Sequence, residues 1–428
     1  MFEIFDKTFY VNMQDENTCA IDEETEDFNY ISCTVESALY LKMYIVVLFE
    51  DDTYGFDVFF LENRNYVFNS FFHEKEGKKI KKICYMQICN LENKKGFITF
   101  KQMRFLNYPE FPQNPVYIES KKMIAGVDIK KGAALGYLST KQYRVCEQDD
   151  GHGGKTAVFE RAAEFDFTQN ANFINTYDKG RLLQQSYYGN DKSPYQIGIS
   201  LGNLWSYNPV QSGDRFNNVG RIIDYVLTDK SLYLKVRPLD WAKNNYVTDS
   251  YMETSYRFEH GILKVSNRFI DFSMLNHSRN GMGRQEMPAF HPVASLKNYM
   301  YPTSKNKFVT KPDLGFWGAS DNYKNTLFCI ESCWSGWFNS EQYGIALYTP
   351  FITKHHAGRY MANQSYGVPS SQAQPVNYLA GIKNFDLDCL QPIEYTYYIS
   401  IGNIKEIQAG FKNIVPKENA FLSEIDDD

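Results

Sequence analysis

Apolar and polar residues alternate with a period of two along much of this chain, and helical periodicity is scarce. In SLYLKVRPLDW (231–241), Leu232, Leu234 and Val236 fall on one side of an extended backbone. SYMETSYRFEHGILKVSNRFIDFS (250–273) reads as two such strands around His260-Gly261, a pair suited to a tight hairpin turn. MIAGVDIKKGAALGYLS (123–139) reads strand, turn, strand, with Gly132 and Gly136 as punctuation, and EQYGIALYTP and QPIEYTYYISIG continue the pattern. One short helix is expected, around 404–412. The 32 Tyr and 32 Phe agree with strands, which favour rings on a pleated, half-buried surface. The fold class that follows is all-β: a large antiparallel supersandwich preceded by a smaller β-sandwich domain.

The boundary between the two is expected near residue 115. Residues 1–115 carry the short runs YLKMYIVVLFE, GFDVFFLE, KKICYMQICNL and KGFITFKQMRF, separated by polar residues and glycine. NYPEFPQNPVYI follows, where Pro109, Pro112 and Pro115 suit a linker. Residues 1–115 therefore read as a small β-sandwich, accessory or carbohydrate-binding. Residues 116–428 read as the large sandwich that carries the active site.

Several function classes are disfavoured. The net charge of −6 argues against a general nucleic-acid role, which needs a positive field. The lysines of GKKIKKIC (77–84) read as a solvated face. No apolar run approaches the roughly 20 residues that span a bilayer. No leader is visible, so the expected location is the cytoplasm, or outside the cell for a chain whose leader has been removed. The eight cysteines include no C-x-x-C pair, which leaves reduced, buried thiols as the simplest reading and Cys329–Cys333 pairing open. His355 and His356 are adjacent, so on a strand they point to opposite faces and do not share one metal. GISLG (198–202) has nucleophile-elbow spelling, but no helical pattern follows Ser200. No nucleotide-binding or metal-binding motif appears, and no cofactor or metal is expected.

The chemistry concentrates in DKGRLLQQSYYG (178–189). Arg181 carries a planar set of five donors, Gln184 and Gln185 offer paired donors and acceptors, and Tyr187 and Tyr188 offer flat faces with polar tips. A sugar calls for these groups: amides for hydroxyls and rings for its C–H face. An exposed polar strand is the plain alternative. LWSYNPVQSGD (204–214) follows with Trp205, Asn208, Gln211 and Asp214 in a loop. Glu253 lies in a strand pattern beside Tyr251, Ser255 and Arg257, where it is either an ion pair or a cleft acid. Glu286 follows Arg284 and Gln285, and His291 lies shortly after.

The ordered set D-x-G-R-x-x-Q-Q-S-Y-Y (178–188), N-P-x-Q-x-G-D (208–214), M-E (252–253), Q-E-x-P-A (285–289) and G-I-A-L-Y-T-P (344–350) resembles a bacterial family of β-sandwich proteins associated with carbohydrate degradation. GAALGYLS (132–139) looks like the sheet-entry pattern of galactose-mutarotase-like supersandwich proteins. These resemblances imply a carbohydrate partner.

The function expected is glycoside hydrolysis by two carboxylates in a cleft of the large sandwich. Glu253 and Glu286 are the favoured pair and Asp178 comes next. Arg284 would keep Glu286 ionised as the base and leave Glu253 as the proton donor. Arg181, Gln184, Gln185, Tyr187, Tyr188, Trp205, Asn208, Gln211, Asp214 and His291 would hold the sugar. Two alternatives stand beside this reading: a polysaccharide lyase using Arg181, Gln184 and Tyr187 or Tyr188, and a non-catalytic carbohydrate-binding protein. Oligomeric state is open.

Overall fold

Alternation becomes sheet wherever a strand's two faces meet different surroundings, and this chain does so in two units. The computed structural model describes residues 2–4, 7–11, 17–24, 28–73, 78–108, 111–112, 115–129, 132–140, 143–149, 155–161, 171–177, 179–189, 199–200, 203–204, 206–277, 283–303, 307–312, 314, 316–317, 326–360 and 375–416. One compact unit comprises Met1–Phe111 with Arg221–Asp224 and Asp271–Met274. The other comprises Pro112–Gly220, Tyr225–Ile270 and Leu275–Asp428. The chain is all-β, a large antiparallel sandwich preceded by a smaller one.

In the first unit a five-stranded sheet and a four-stranded sheet share one apolar core. Leu41–Phe49 shows why: its residues alternate between buried and half-buried along the whole strand. Leu41, Met43, Ile45 and Val47 enter the core with Phe59, Ile88, Val35, Phe68 and Phe100. The same alternation sends Lys42, Tyr44, Val46 and Leu48 to the other side.

In the second unit an eight-stranded and a nine-stranded sheet lie face to face. The hairpin Ser250–Glu259 and Ile262–Asp271 sits in the nine-stranded sheet and turns at His260 (φ 51) and Gly261 (φ 80), the backbone that a two-residue turn of this hand demands. Leu232, Leu234 and Val236 are all fully buried on one face. The interlayer is marked by contacts from both sheets. Thr254 Oγ1 accepts from Gln185 Nε2 at 3.0 Å, the Tyr187 ring lies 4.6 Å from that of Phe269, and Trp337 Nε1 donates to the Tyr378 carbonyl at 3.1 Å. His355 is buried there between Ser335 Oγ at 2.7 Å and Thr349 Oγ1 at 2.9 Å. Its neighbour His356 takes the opposite face of the strand Lys354–Tyr360, as alternation requires.

The helix Ile404–Lys412 covers the outer side of the nine-stranded sheet. Ile404, Ile407 and Phe411 share one stripe and pack with Trp334, Phe338 and Ala346. Cys329 and Cys333 are free thiols. Among the described residues, no helix is long and apolar enough to cross a membrane, and no group of three or more His, Cys, Asp or Glu is arranged to hold a metal ion.

Candidate functional site

The strand Arg284–Ala289 belongs to the eight-stranded sheet and pairs with Val376–Asn384, with Glu286 opposite Ile382. His355 faces the interlayer and pairs with Gly381, so Tyr378, Ala380 and Ile382 face away from the nine-stranded sheet, and Glu286 goes with them. Glu286 thus stands on the outer face of the eight-stranded sheet. Tyr378 donates its hydroxyl to Glu286 Oε1, and Tyr188 hydrogen-bonds to the same carboxyl. Tyr188 is pinned by Gln285, which accepts from its backbone N–H at 2.8 Å and donates to its carbonyl at 2.9 Å.

Two further groups border this pair of tyrosines. The His291 ring lies 5.3 Å from Tyr378 and 6.4 Å from Tyr360, and the rings of Tyr360 and Tyr378 meet edge-on at 5.8 Å. His291 hydrogen-bonds to the backbone at Leu182, which brings the Lys179–Arg181 turn beside it. Its buried Nδ1 has no hydrogen-bond partner. The Arg181 guanidinium stacks over Tyr177 at 5.0 Å.

The electrostatics follow from this packing. Glu286 is half-buried as a residue, yet the matter crowded around its carboxyl penalises the charged form and raises its pKa to about 7, against the lowering effect of the two tyrosine hydroxyls. The expectation that Arg284 holds Glu286 ionised is therefore corrected. Arg284 is exposed on the same strand, and burial dominates. Burial also lowers His291 to about 3, helped by the charge of Arg181, so its imidazole is neutral at physiological pH. Tyr188 and Tyr378 are raised well above the usual tyrosine value by burial and by the Glu286 charge. The result is a carboxyl that exchanges its proton near neutrality, two hydroxyls on it, and a neutral, buried imidazole beside them.

Glu253 is elsewhere. Thr254 faces the interlayer, so Glu253 faces the other way, on the outer side of the nine-stranded sheet. There Arg268 Nη1 donates to Oε1 at 2.8 Å and the Tyr233 hydroxyl to Oε2 at 2.6 Å, with both members of the ion pair buried. Arg257, the partner weighed from sequence, instead bonds Glu259. Both sheets intervene between Glu253 and Glu286, a layer spacing of about 10 Å in itself, which exceeds the roughly 5–9.5 Å that separates paired glycosidase carboxylates.

The amides expected to hold a sugar hold the fold together in this structure. Gln184 donates to the Lys179 carbonyl at 2.7 Å and accepts from Ser212 N at 2.9 Å. Gln185 donates to the Glu253 carbonyl at 2.8 Å and accepts from the Tyr187 hydroxyl at 2.9 Å. Gln211 accepts from Gln185 N at 3.2 Å and donates to the Ala133 carbonyl at 3.0 Å. Asn208 donates to the Tyr187 carbonyl at 2.7 Å. Asp214 organises a turn, accepting from the backbone of Phe216, Asn218 and Asn245. Tyr187 is fully buried in the interlayer, one residue from Tyr188 but on the opposite face. Asp178 and Trp205 lie outside the described residues. Of the predicted set, Arg181, Tyr188, Glu286 and His291 come together. Gln285, Tyr360 and Tyr378 complete the cluster; Tyr378 had no signal of its own, because VNYLAGIKN reads as an ordinary buried strand.

No family model matches this chain, and no curated protein matches it by sequence. Among solved structures it is similar to a protein assigned as an aldose 1-epimerase from Escherichia coli K12, at TM-score 0.32 and 8% identity, covering 67% of this chain and 98% of that one. It is also similar to a galactose mutarotase related enzyme from Lactobacillus acidophilus, at TM-score 0.33 and 9% identity, covering 67% of this chain and 97% of that one. Overlap this weak does not establish a common fold.

Proposed function

We propose that the larger unit is a carbohydrate-active enzyme of the glycoside hydrolase class, with Glu286 as the carboxyl that transfers the proton. The observation that carries the reading is the Glu286 carboxyl, raised to about 7 by its surroundings and gripped by Tyr188 and Tyr378. A carboxyl protonated at neutral pH is suited to donate to a departing glycosidic oxygen, and proximity to physiological pH makes the transfer efficient. Half-buried Tyr360 and the Arg181–Tyr177 stack offer ring faces and donors for a sugar. Asp178 precedes the Lys179–Arg181 turn directly in sequence and is the proposed second carboxylate, in place of Glu253.

A screen of soluble glycans with product sizing tests the class. Glu286→Gln is expected to lower turnover by about 10²–10⁴-fold, the usual worth of a positioned acid or base, with the far-ultraviolet circular dichroism unchanged. Full turnover in that variant would refute the role. Products that absorb in the near ultraviolet would mean elimination across a uronate, the lyase chemistry that Arg181 beside His291 and the Glu286-bound tyrosines could also serve.

A further inference from the structure

The geometry points to a second carbohydrate-binding surface, independent of the Glu286 site: the exposed aromatic face of the four-stranded sheet in the first unit. In that sheet Tyr54–Leu61 pairs with Leu41–Phe49, setting Tyr54 opposite Leu48 and Phe56 opposite Val46. On its other side Leu41–Phe49 pairs with Ile80–Asn90, setting Tyr85 opposite Val46. Registered residues share a face, so Tyr54, Phe56, Tyr85, Val46 and Leu48 lie together, with Tyr44 two residues along. The core takes the opposite face through Met43, Ile45 and Val47. Tyr54 is 70% exposed, Phe56 54% and Tyr85 38%, and the rings of Tyr44 and Phe56 stand 6.1 Å apart.

Lone exposed rings are ordinary, but a registered row of them across three strands makes one continuous apolar strip, the kind of largest surface patch that is often functional. The size and chemistry of the row decide its occupant. If each ring residue offers about 200 Å², the three expose roughly 300 Å² together. A stable protein partner, including a second copy of this chain, needs about 800 Å² per side. The row is also framed by polar groups: Lys42, whose Nζ lies 5.3 Å from the Tyr44 ring centroid, and Gln87 on the neighbouring strand, opposite Tyr44. Flat rings bordered by an ammonium and an amide match a sugar chain, whose C–H faces stack on rings while its hydroxyls take hydrogen bonds. The occupant is a polysaccharide chain lying across the three strands.

Affinity gel electrophoresis of the full chain tests this, with starch, xylan, hydroxyethyl cellulose, laminarin and pectin as separate probes. At least one probe is expected to retard the protein, and Glu286→Gln is expected to be retarded equally. Tyr54→Ala with Phe56→Ala is expected to bind that probe at least tenfold more weakly, a loss of about 1.4 kcal/mol. Both positions are surface sites, so the thermal midpoint should not move. Turnover on a short oligosaccharide should also be unchanged, which separates this surface from the proposed active site. The inference is overturned if no probe retards the chain, if retardation survives the double substitution, or if the substitution instead abolishes a concentration-dependent dimer in sedimentation.

Discussion

At Glu286 the deciding quantity is the environment of one carboxyl. A general acid, the role proposed for Glu286, must be protonated to act, and this carboxyl is raised to about 7 from 4.5 in an unperturbed glutamate. Turnover should therefore hold below neutrality and fall as pH rises through about 7. A pH–rate profile checks this, and a limb at the ordinary carboxylate range instead would remove burial as the controlling effect. Glu253 illustrates the opposite case. Its charge is buried too, but Arg268 and the Tyr233 hydroxyl satisfy it. Glu253→Ala would remove one carboxylate from Arg268, which also bonds Glu394, and should cost about 3 kcal/mol, at the low end for breaking a buried pair. Turnover per folded molecule should be retained. Urea melts read the first effect and initial rates the second; lost turnover at full stability would return Glu253 to the chemistry.

Among the elements, the strand Arg284–Ala289 matters because it carries groups to both sides. Gln285 reaches across to hold the Tyr188 backbone, and Glu286 presents its carboxyl to the outer face. The strand Gln184–Ser186 and the two residues after it divide labour in the same way, with Gln185 and Tyr187 turned into the interlayer and Tyr188 turned out. The helix Ile404–Lys412 has a purely structural part. Asn403 caps it, accepting from Lys405 N at 3.1 Å, and Phe411 packs on Trp334 with ring centroids 5.5 Å apart. Asn403→Ala should cost about 1 kcal/mol and Phe411→Ala about 3–5 kcal/mol. Thermal melts should rank them in that order, with catalytic rates unaffected.

For the molecule as a whole, its buried histidines set a pH limit. His277, His355 and His356 are each lowered to about 4 by burial, against 6.5 in the unfolded chain. A depressed histidine is neutral in the fold, so its contribution is complete above about 6.5 and is lost as pH falls toward 4. The histidine contribution should be level above pH 6.5 and lower the melting temperature from there to pH 4, outweighing the smaller opposite slope that Glu286, raised to about 7, adds in the same range. A level midpoint across that window would mean these imidazoles are not buried in solution. The first unit also includes Asp271–Met274, where Phe272 stacks on Phe60 at 4.9 Å. The prolines at 109–115 give no sign of this later return of the chain.

What the sequence determined by itself was whatever depends on near neighbours. Period-two alternation specified the strands, His260-Gly261 specified a turn, and the stripe of Ile404, Ile407 and Phe411 specified the helix Ile404–Lys412, because each depends on contacts a few residues apart. The site was only partly legible. Glu286, Tyr188, Arg181 and His291 were visible as chemistry-bearing residues, yet nothing local told Glu253 from Glu286 or a scaffolding amide from a binding one. Only the tertiary structure decided those, through strand register and sheet order: one residue of register sends a side chain to the opposite face, and whether an acid meets Arg268 or a pair of tyrosines depends on which strands lie beside it.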